Sequence, residues 1–248
     1  MLQLSGYDYS VWDEIMVNTM QFSLYGVFFV LSFVLGFLSA GLGMKKRGVP
    51  GRIILYSYLL NAAIVLYLAV FFGVIASGFR KSVLDAGFSS MGGAIGLIIG
   101  SKIMALIDKK DGRIIWQNYM CTLPLMYSVA KLGCFSIGCC AGIPYEGVLS
   151  ITYDNYLHKT GSLFPVQLIE SIVFFGIYLV AVRMYEKKKF PKTVSLIMVL
   201  CGAGKFSLDF LRSEHIGKIL SVNQIVCMVF MVAGFITLML PERTAERK

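Results

Sequence analysis

Lys205, Asp209 and Arg212 follow one another at i, i+4 and i+7 inside an otherwise apolar stretch. On a helix this spacing puts all three side chains on one face. An ionisable group in hydrocarbon costs at least a few kcal/mol, so such groups usually face a protein interior and often mark function. Lys131 stands alone in a second apolar stretch, and Gln167 and Glu170 open a third. Tyr25 and Gln224 stand near the starts of two more. Lysines and an arginine gathered at one place suit an anion, the ammonium as a point charge and the guanidinium in bidentate geometry. Carboxylates beside them could orient the cations or accept a proton. The plainer alternative makes Lys205–Asp209 and Lys131–Glu170 structural ion pairs within a bundle. Taken as a set at one depth, the groups favour a polar cavity opening towards the outer leaflet.

The segment Lys131-Leu-Gly-Cys-Phe-Ser-Ile-Gly-Cys-Cys-Ala-Gly142 is the most unusual in the chain and holds three of its six cysteines. The spacing of Cys134, Cys139 and Cys140 is neither that of a zinc ribbon nor that of a thioredoxin-type site. Only His158 and His215 could add imidazole ligands, so no metal and no cofactor is expected. The cysteines are expected to act mainly as small apolar residues; a disulfide or redox role, or direct chemistry or metal binding, are the alternatives. Gly92, Gly96 and Gly100 repeat every four residues, the small-residue pattern of close helix packing in membranes, and Gly93 widens that surface. The missing side chains would equally leave room for a lipid. Lys102 lies near a span end, where its stem can carry the charge to the headgroups.

The elements that must position these groups follow from composition. Of 248 residues 57% are hydrophobic and 15% charged, and mean hydropathy is +0.73, which excludes a soluble globular domain and a disordered chain. The net charge of +9 comes from short Lys/Arg clusters between apolar runs, the pattern of cytoplasmic loops rather than of a nucleic-acid binder. A bilayer core about 30 Å thick needs roughly 20 apolar helical residues. Seven stretches meet or approach this: 22–44, 53–79, 88–107, 114–136, 164–182, 194–211 and 221–240. The expectation is an all-α polytopic membrane protein of seven transmembrane helices forming one domain over 1–248, with an external segment 1–21 and a cytoplasmic tail 241–248. The segment before the first span, with Asp8, Asp13 and Glu14, lacks the basic flank of a cleaved signal peptide and is expected to be retained. Loops on one side carry fifteen Lys and Arg against five on the other, which puts the N-terminus outside and the C-terminus in the cytoplasm. The polar groups above then lie in the outer half of the membrane, while the inner half holds little beyond Asn61 and Asn118.

With these residues in view, the chain resembles the prolipoprotein diacylglyceryl transferase family. Leu24-Tyr-Gly26 resembles the Tyr-Gly of that family's first helix, and Ser90-Met-Gly-Gly93 its Phe-His-Gly-Gly. Lys131 to Gly142 resembles its Arg-x-Gly-Asn-Phe-x-Asn-Gly-Glu-x-x-Gly signature, and Phe164-Pro-Val-Gln-Leu-Ile-Glu170 its His-Pro-Ser-Gln-Leu-Tyr-Glu. Gly202-Ala-Gly-Lys-Phe-Ser-Leu-Asp-Phe-Leu-Arg212 resembles Gly-x-x-Arg-Phe-x-x-Glu-Phe-x-Arg, and Gln224 matches the Gln opening the last helix. The resemblance implies a seven-helix enzyme of the bacterial inner membrane. Its donor would be phosphatidylglycerol, its acceptor by default the lipobox cysteine of a prolipoprotein, and glycerol phosphate would leave.

The resemblance also distributes roles. Lys131 and Lys205 stand where the family has arginines and would contact the phosphate; Asp209 would orient Lys205 or act as base. Tyr25, Gly92, Gly93, Gly138, Gly142, Gln167, Glu170, Arg212 and Gln224 would shape the substrate pocket. Besides these lysines, further positions depart from the pattern: the family's His is Met91, and its signature Asn and Glu are Cys134 and Cys139. A transferase with a different acceptor, or a non-catalytic lipid-binding or transport protein on the same fold, therefore remain alternatives.

Overall fold

The computed structural model describes residues 9–76, 79, 88–152, 161–187, 190–217 and 219–240, with side chains in the first helix from Leu24 onward. Seven α-helices carry this part of the chain: α1 (Tyr9–Lys46), α2 (Gly51–Ala76), α3 (Ser90–Ile107), α4 (Gly112–Ile137), α5 (Val166–Glu186), α6 (Phe190–Asp209) and α7 (Val222–Met239). All but α6 are long and apolar enough to cross a membrane; α6 carries Pro191, Lys192, Lys205 and Asp209 within its 20 residues. The chain is thus an all-helical, multi-pass membrane protein. The outward faces of its helices expose Leu55, Leu59, Phe175, Val229 and Phe235, side chains that lipid covers without cost.

The observed helices match the seven expected spans within a few residues, with two differences. The first helix runs back to Tyr9, so most of the expected external segment 1–21 is helical; residues 1–8 lie outside the described residues. The sixth ends at Asp209 rather than at 211. Arg80, Lys81, His158, Lys159, Lys188, Lys189, Lys218 and the tail 241–248, all used in the charge count or the loop reading, also lie outside the described residues.

α4 is the central helix, packed against α1, α3, α5 and α6. Below the level of Asn61 the core is built from Ala40 and Met44 of α1, Met104 of α3, and Ile115 and Tyr119 of α4. Most polar groups there find partners inside the bundle, as hydrocarbon requires, though Asn61 Oδ1 has no hydrogen-bond partner among the described residues. The hydroxyls of Ser57 and Tyr119 are 3.0 Å apart, Asn61 Nδ2 donates to the Ser57 carbonyl at 2.8 Å, and Asn118 bonds the Ile114 carbonyl and the Tyr185 hydroxyl. Arg47 closes this end, donating to the Tyr185 carbonyl at 2.8 Å and lying 4.0 Å over that ring. Lys102 is exposed, its Nζ 5.1 Å from the Trp116 ring centroid.

The small-residue stripe of α3 serves packing against α2. A Cβ on Gly96 would come 2.7 Å from the Val65 backbone, one on Gly100 2.8 Å from Asn61 Oδ1, and one on Gly92 would strike the Leu68 carbonyl. At the opposite end of the bundle, where α4 finishes and α5 and α7 begin, the α4–α5 connection folds across the helix ends. Its short strands β1 (Ile151–Thr152) and β2 (Ser162–Leu163) pair antiparallel. Ile143 N donates to the Leu211 carbonyl at 3.0 Å, Ser213 N to the Ala141 carbonyl at 3.0 Å, and Gly142 bridges Arg212. These bonds tie the cysteine-bearing segment to the end of α6.

Candidate active site

Glu170, fully buried on α5, is the hub of the charged groups. Lys131 Nζ of α4 is 2.9 Å from its Oε2, Lys205 Nζ of α6 is 2.5 Å from its Oε1, and Arg212 Nε is 3.9 Å from the same oxygen. Asp209 forms the second station, with Oδ1 3.5 Å from Lys205 Nζ and 3.7 Å from Arg212 Nη1. Its other oxygen accepts from the Ser221 hydroxyl, which also caps α7. The two ion pairs suggested by the sequence are therefore present, but they share a network in which Glu170 takes both lysines. Arg212 is not on the α6 face, because the helix has ended; the turn after Asp209 and the bridge to Gly142 bring it back to the same carboxylates. Among the described residues, three cations face two buried carboxylates, an excess of one positive charge, with the exposed Glu214 close enough to act on Arg212.

Two clefts meet at this cluster. The larger, about 560 Å³, lies among α1 to α4 and reaches Arg212 and Asn223. The smaller, about 140 Å³, lies between α3 and α4 on one side and α6 and α7 on the other, and is lined by Lys205. Met91, Tyr127 and Arg212 line both. The walls change from Phe29, Phe33, Val65 and Ala69 to Ser89, Ser90, Arg212 and Asn223, a gradient that suits an amphiphile with an anionic head. Lys131 lines neither cleft; it sits behind Tyr127, with Nζ 5.1 Å from that ring's centroid. Only one of the two lysines, Lys205, therefore has direct access to a bound headgroup, and Arg212 supplies the second accessible cation.

The remaining expected pocket residues divide into wall and scaffold. Tyr25, Met91, Gly93, Cys134 and Cys139 line the larger cleft. Gly92 packs on α2, and Gly142 packs so closely on the Phe164 carbonyl that a Cβ would strike it. Gly138 ends α4 with φ 71°, a left-handed C-cap. Gln167 Nε2 donates to the Cys139 carbonyl at 2.9 Å, pinning the cysteine turn to α5. Gln224 is spent on the capping box with Ser221 and on the Phe206 carbonyl, at 3.3 Å.

Three contributors, Tyr127, Ser221 and Glu214, escaped sequence reading. Tyr127 stands one turn before Lys131, and its buried hydroxyl has no partner among the described residues. Ser221 holds Asp209; its Ser-x-x-Gln capping box was a legible signal. Glu214 stands exposed at the mouth of the larger cleft. Cys140 lines the same cleft, and the sulfurs of Cys134, Cys139 and Cys140 all lie within 4.8 Å of one another. Hydrogen bonds from Cys134 and Cys139, followed by the Lys131 and Arg212 charges, hold the Cys140 thiol well below its ordinary range.

A multi-pass helical protein with an apolar-walled cleft ending on a buried, net-cationic cluster has the build of an enzyme or carrier for anionic amphiphiles. Residues 14–240 match the family described as prolipoprotein diacylglyceryl transferase, and the chain belongs to that family. It is similar to a phosphatidylglycerol–prolipoprotein diacylglyceryl transferase 2 of Clostridium perfringens, 27% identical over 156 residues, 60% of each chain. A phosphatidylglycerol–prolipoprotein diacylglyceryl transferase of Clostridium tetani is 27% identical over 150 residues, 56% of this chain and 59% of the relative. A third, of Tolumonas auensis, is 21% identical over 174 residues, 66% of each. The chain thus matches about three fifths to two thirds of the length of these curated relatives.

Proposed function

We propose that this protein transfers the diacylglyceryl group of phosphatidylglycerol to a thiol, by default that of a prolipoprotein lipobox cysteine. The observation that carries the reading is the placement of Lys205 and Arg212 on the cleft walls, backed by Glu170, Asp209 and Lys131. The phosphate of the donor binds between Lys205 and Arg212, its acyl chains running along the apolar walls towards Phe29 and Val65. Attack by sulfur on the glycerol carbon breaks the carbon–oxygen bond to phosphate, and charge grows on the departing glycerol phosphate. Fixed cations at that position stabilise the transition state more than the ground state. Lys131 and Asp209 act indirectly: Lys131 balances Glu170, and Asp209 holds Lys205 and Arg212 in place. Tyr127 offers its free hydroxyl to the same phosphate.

Seven spans in one domain over 1–248, an external N-terminus, a cytoplasmic C-terminus and an inner-membrane location complete the proposal. The charge asymmetry supports the orientation, and the bacterial sources of the relatives support the location. The test is release of glycerol phosphate from head-labelled phosphatidylglycerol by the full chain in proteoliposomes, together with lipidation of a lipobox peptide. Both are expected. Release without peptide lipidation would transfer the reading to another acceptor; lipid binding with neither product would leave a carrier.

A further inference from the structure

The cysteine turn is built at a visible conformational cost. Two residues after the left-handed Gly138, Cys140 itself adopts φ 57°, a region that non-glycine residues outside Asn, Asp and His rarely enter. Such strain persists where the surroundings over-determine it and gathers at functional positions. Here it reverses the chain at the end of α4 and returns two cysteines onto Cys134 of the helix. The turn is fastened from two sides, by Gln167 on the Cys139 carbonyl and by Ser213 on the Ala141 carbonyl. All three cysteines are free thiols, and all line the larger cleft. Their sulfurs lie within 4.8 Å of one another; three sulfurs around one zinc at about 2.3 Å would stand about 3.8 Å apart, a gap that side-chain rotation closes.

The reaction proposed above also lacks a base where it needs one. Met91 cannot take a proton, and the carboxylates of Glu170 and Asp209 are buried and engaged by three cations. Glu214 is solvent-exposed at the mouth of the cleft. What the interior wall presents instead is a set of three soft donors.

We propose that Cys134, Cys139 and Cys140 form a three-thiolate site for a zinc ion, whose fourth position opens into the cleft and binds the acceptor thiol as thiolate. Three protein ligands and one open position define a catalytic rather than a closed structural zinc site. A thiol bound to zinc is deprotonated outright, so the metal replaces the missing base. Three cysteine thiolates, a substrate thiolate and one divalent ion sum to two negative charges, and the single surplus positive charge of the Lys131–Lys205–Arg212 cluster, with Arg212 on the same cleft wall, offsets one of them. The role in transfer rests on the reading of the protein as a transferase; the metal site itself does not.

The step balances without any redox partner. The acceptor thiol gives its proton to solvent at the mouth, near Glu214, as its sulfur joins zinc. The sulfur lone pair then forms the S–C bond to the glycerol carbon. The C–O bond breaks, and its electron pair leaves on glycerol phosphate, held by Lys205 and Arg212. The product is a thioether, a weaker ligand than thiolate, and leaves the metal.

Full-length protein, purified reduced and metal-free in detergent, is titrated with zinc and, for spectroscopy, with cobalt(II). One ion per chain is expected, with the sulfur-to-cobalt charge-transfer absorption of three thiolates. Cys139→Ser and Cys140→Ser should each weaken zinc binding at least about 100-fold, more than the loss of an outer-shell partner. Cys121→Ala and Cys201→Ala serve as controls and should leave binding unchanged. Adding a lipobox-cysteine peptide should raise the charge-transfer intensity by a fourth sulfur, and its Cys→Ser version should not. Failure of the reduced wild-type chain to bind zinc or cobalt, a result independent of any variant's folding, overturns the site. Metal binding that survives both serine variants also overturns it, as does a peptide-insensitive cobalt spectrum. Full binding and the peptide response, but no product from phosphatidylglycerol, would uphold the site and sink the transferase reading instead.

Discussion

Glu170 carries more of the architecture than any cation around it. It is fully buried, and Lys131 and Lys205 approach its two oxygens from different helices. The lysines differ in what lies beyond them. Lys205 keeps 15% of its side chain accessible and lines a cleft, whereas Lys131 keeps 2% and lines none. Lys205→Ala leaves Glu170 paired with Lys131, so the fold should survive while transfer falls on the order of 100- to 1000-fold, the usual loss for a transition-state donor. Lys205→Arg should retain much of the rate. Lys131→Met should act in the opposite sense. It strips the partner from Glu170 Oε2 while Lys205 stays on Oε1, so the loss should stay below the about 3–5 kcal/mol of a fully unpaired buried carboxylate, and it should lower the detergent melting temperature more than it lowers turnover per folded molecule. Glu170→Gln added to Lys131→Met should restore part of that loss, because neighbours in one network are not additive. Turnover and melting temperature measured side by side on these variants separate the two roles. The residue types of this cluster were legible, because charges in apolar stretches stand out. Their pairing was legible in part. The sequence suggests Lys205–Asp209 and Lys131–Glu170, but nothing in it says that Glu170 also takes Lys205 and lies within reach of Arg212 beyond the end of α6.

At the scale of elements, the α3 glycines separate into two kinds that the sequence shows as one stripe. Gly92, Gly96 and Gly100 face the α2 backbone, while a Cβ on Gly93 would meet nothing nearer than 3.8 Å and that residue lines the larger cleft. Gly96→Ala should therefore force α2 and α3 apart, costing about 1–3 kcal/mol and lowering the melting temperature. Gly93→Ala should be neutral for stability. Gly93→Leu should fill the cleft and raise KM for phosphatidylglycerol, with little change in melting. Equal melting losses at Gly93 and Gly96 would place both on the packing face. Arg212 shows the limit of periodicity in another way. The i+7 argument presumes a helix that continues, yet α6 stops at Asp209, and the residue reaches its partners through a turn and a bridge to Gly142. Backbone pairing between segments 70 residues apart leaves no trace in the spacing of either.

For the whole molecule, the two ends of the bundle differ in kind. At one end Arg47, Asn118 and Tyr185 close the helices with mutual hydrogen bonds around an apolar core. At the other, a net-cationic cluster opens into clefts beneath the folded-back α4–α5 connection. Arg47 lies in the run Lys45-Lys46-Arg47, one of the clusters that make the loop charge fifteen against five. The closed end is therefore the one that the positive-inside rule assigns to the cytoplasm, and the same rule would turn the open end outward. That is where an acceptor already carried across the membrane would meet a donor lipid, so orientation and chemistry stand together. A reporter active only in the cytoplasm, fused after Lys248, should be active, and a cysteine introduced at exposed Val148 in the α4–α5 connection should react with a membrane-impermeant maleimide in intact cells. Labelling at Val148 only after the cells are broken would invert the molecule and put the clefts on the wrong side for a translocated substrate.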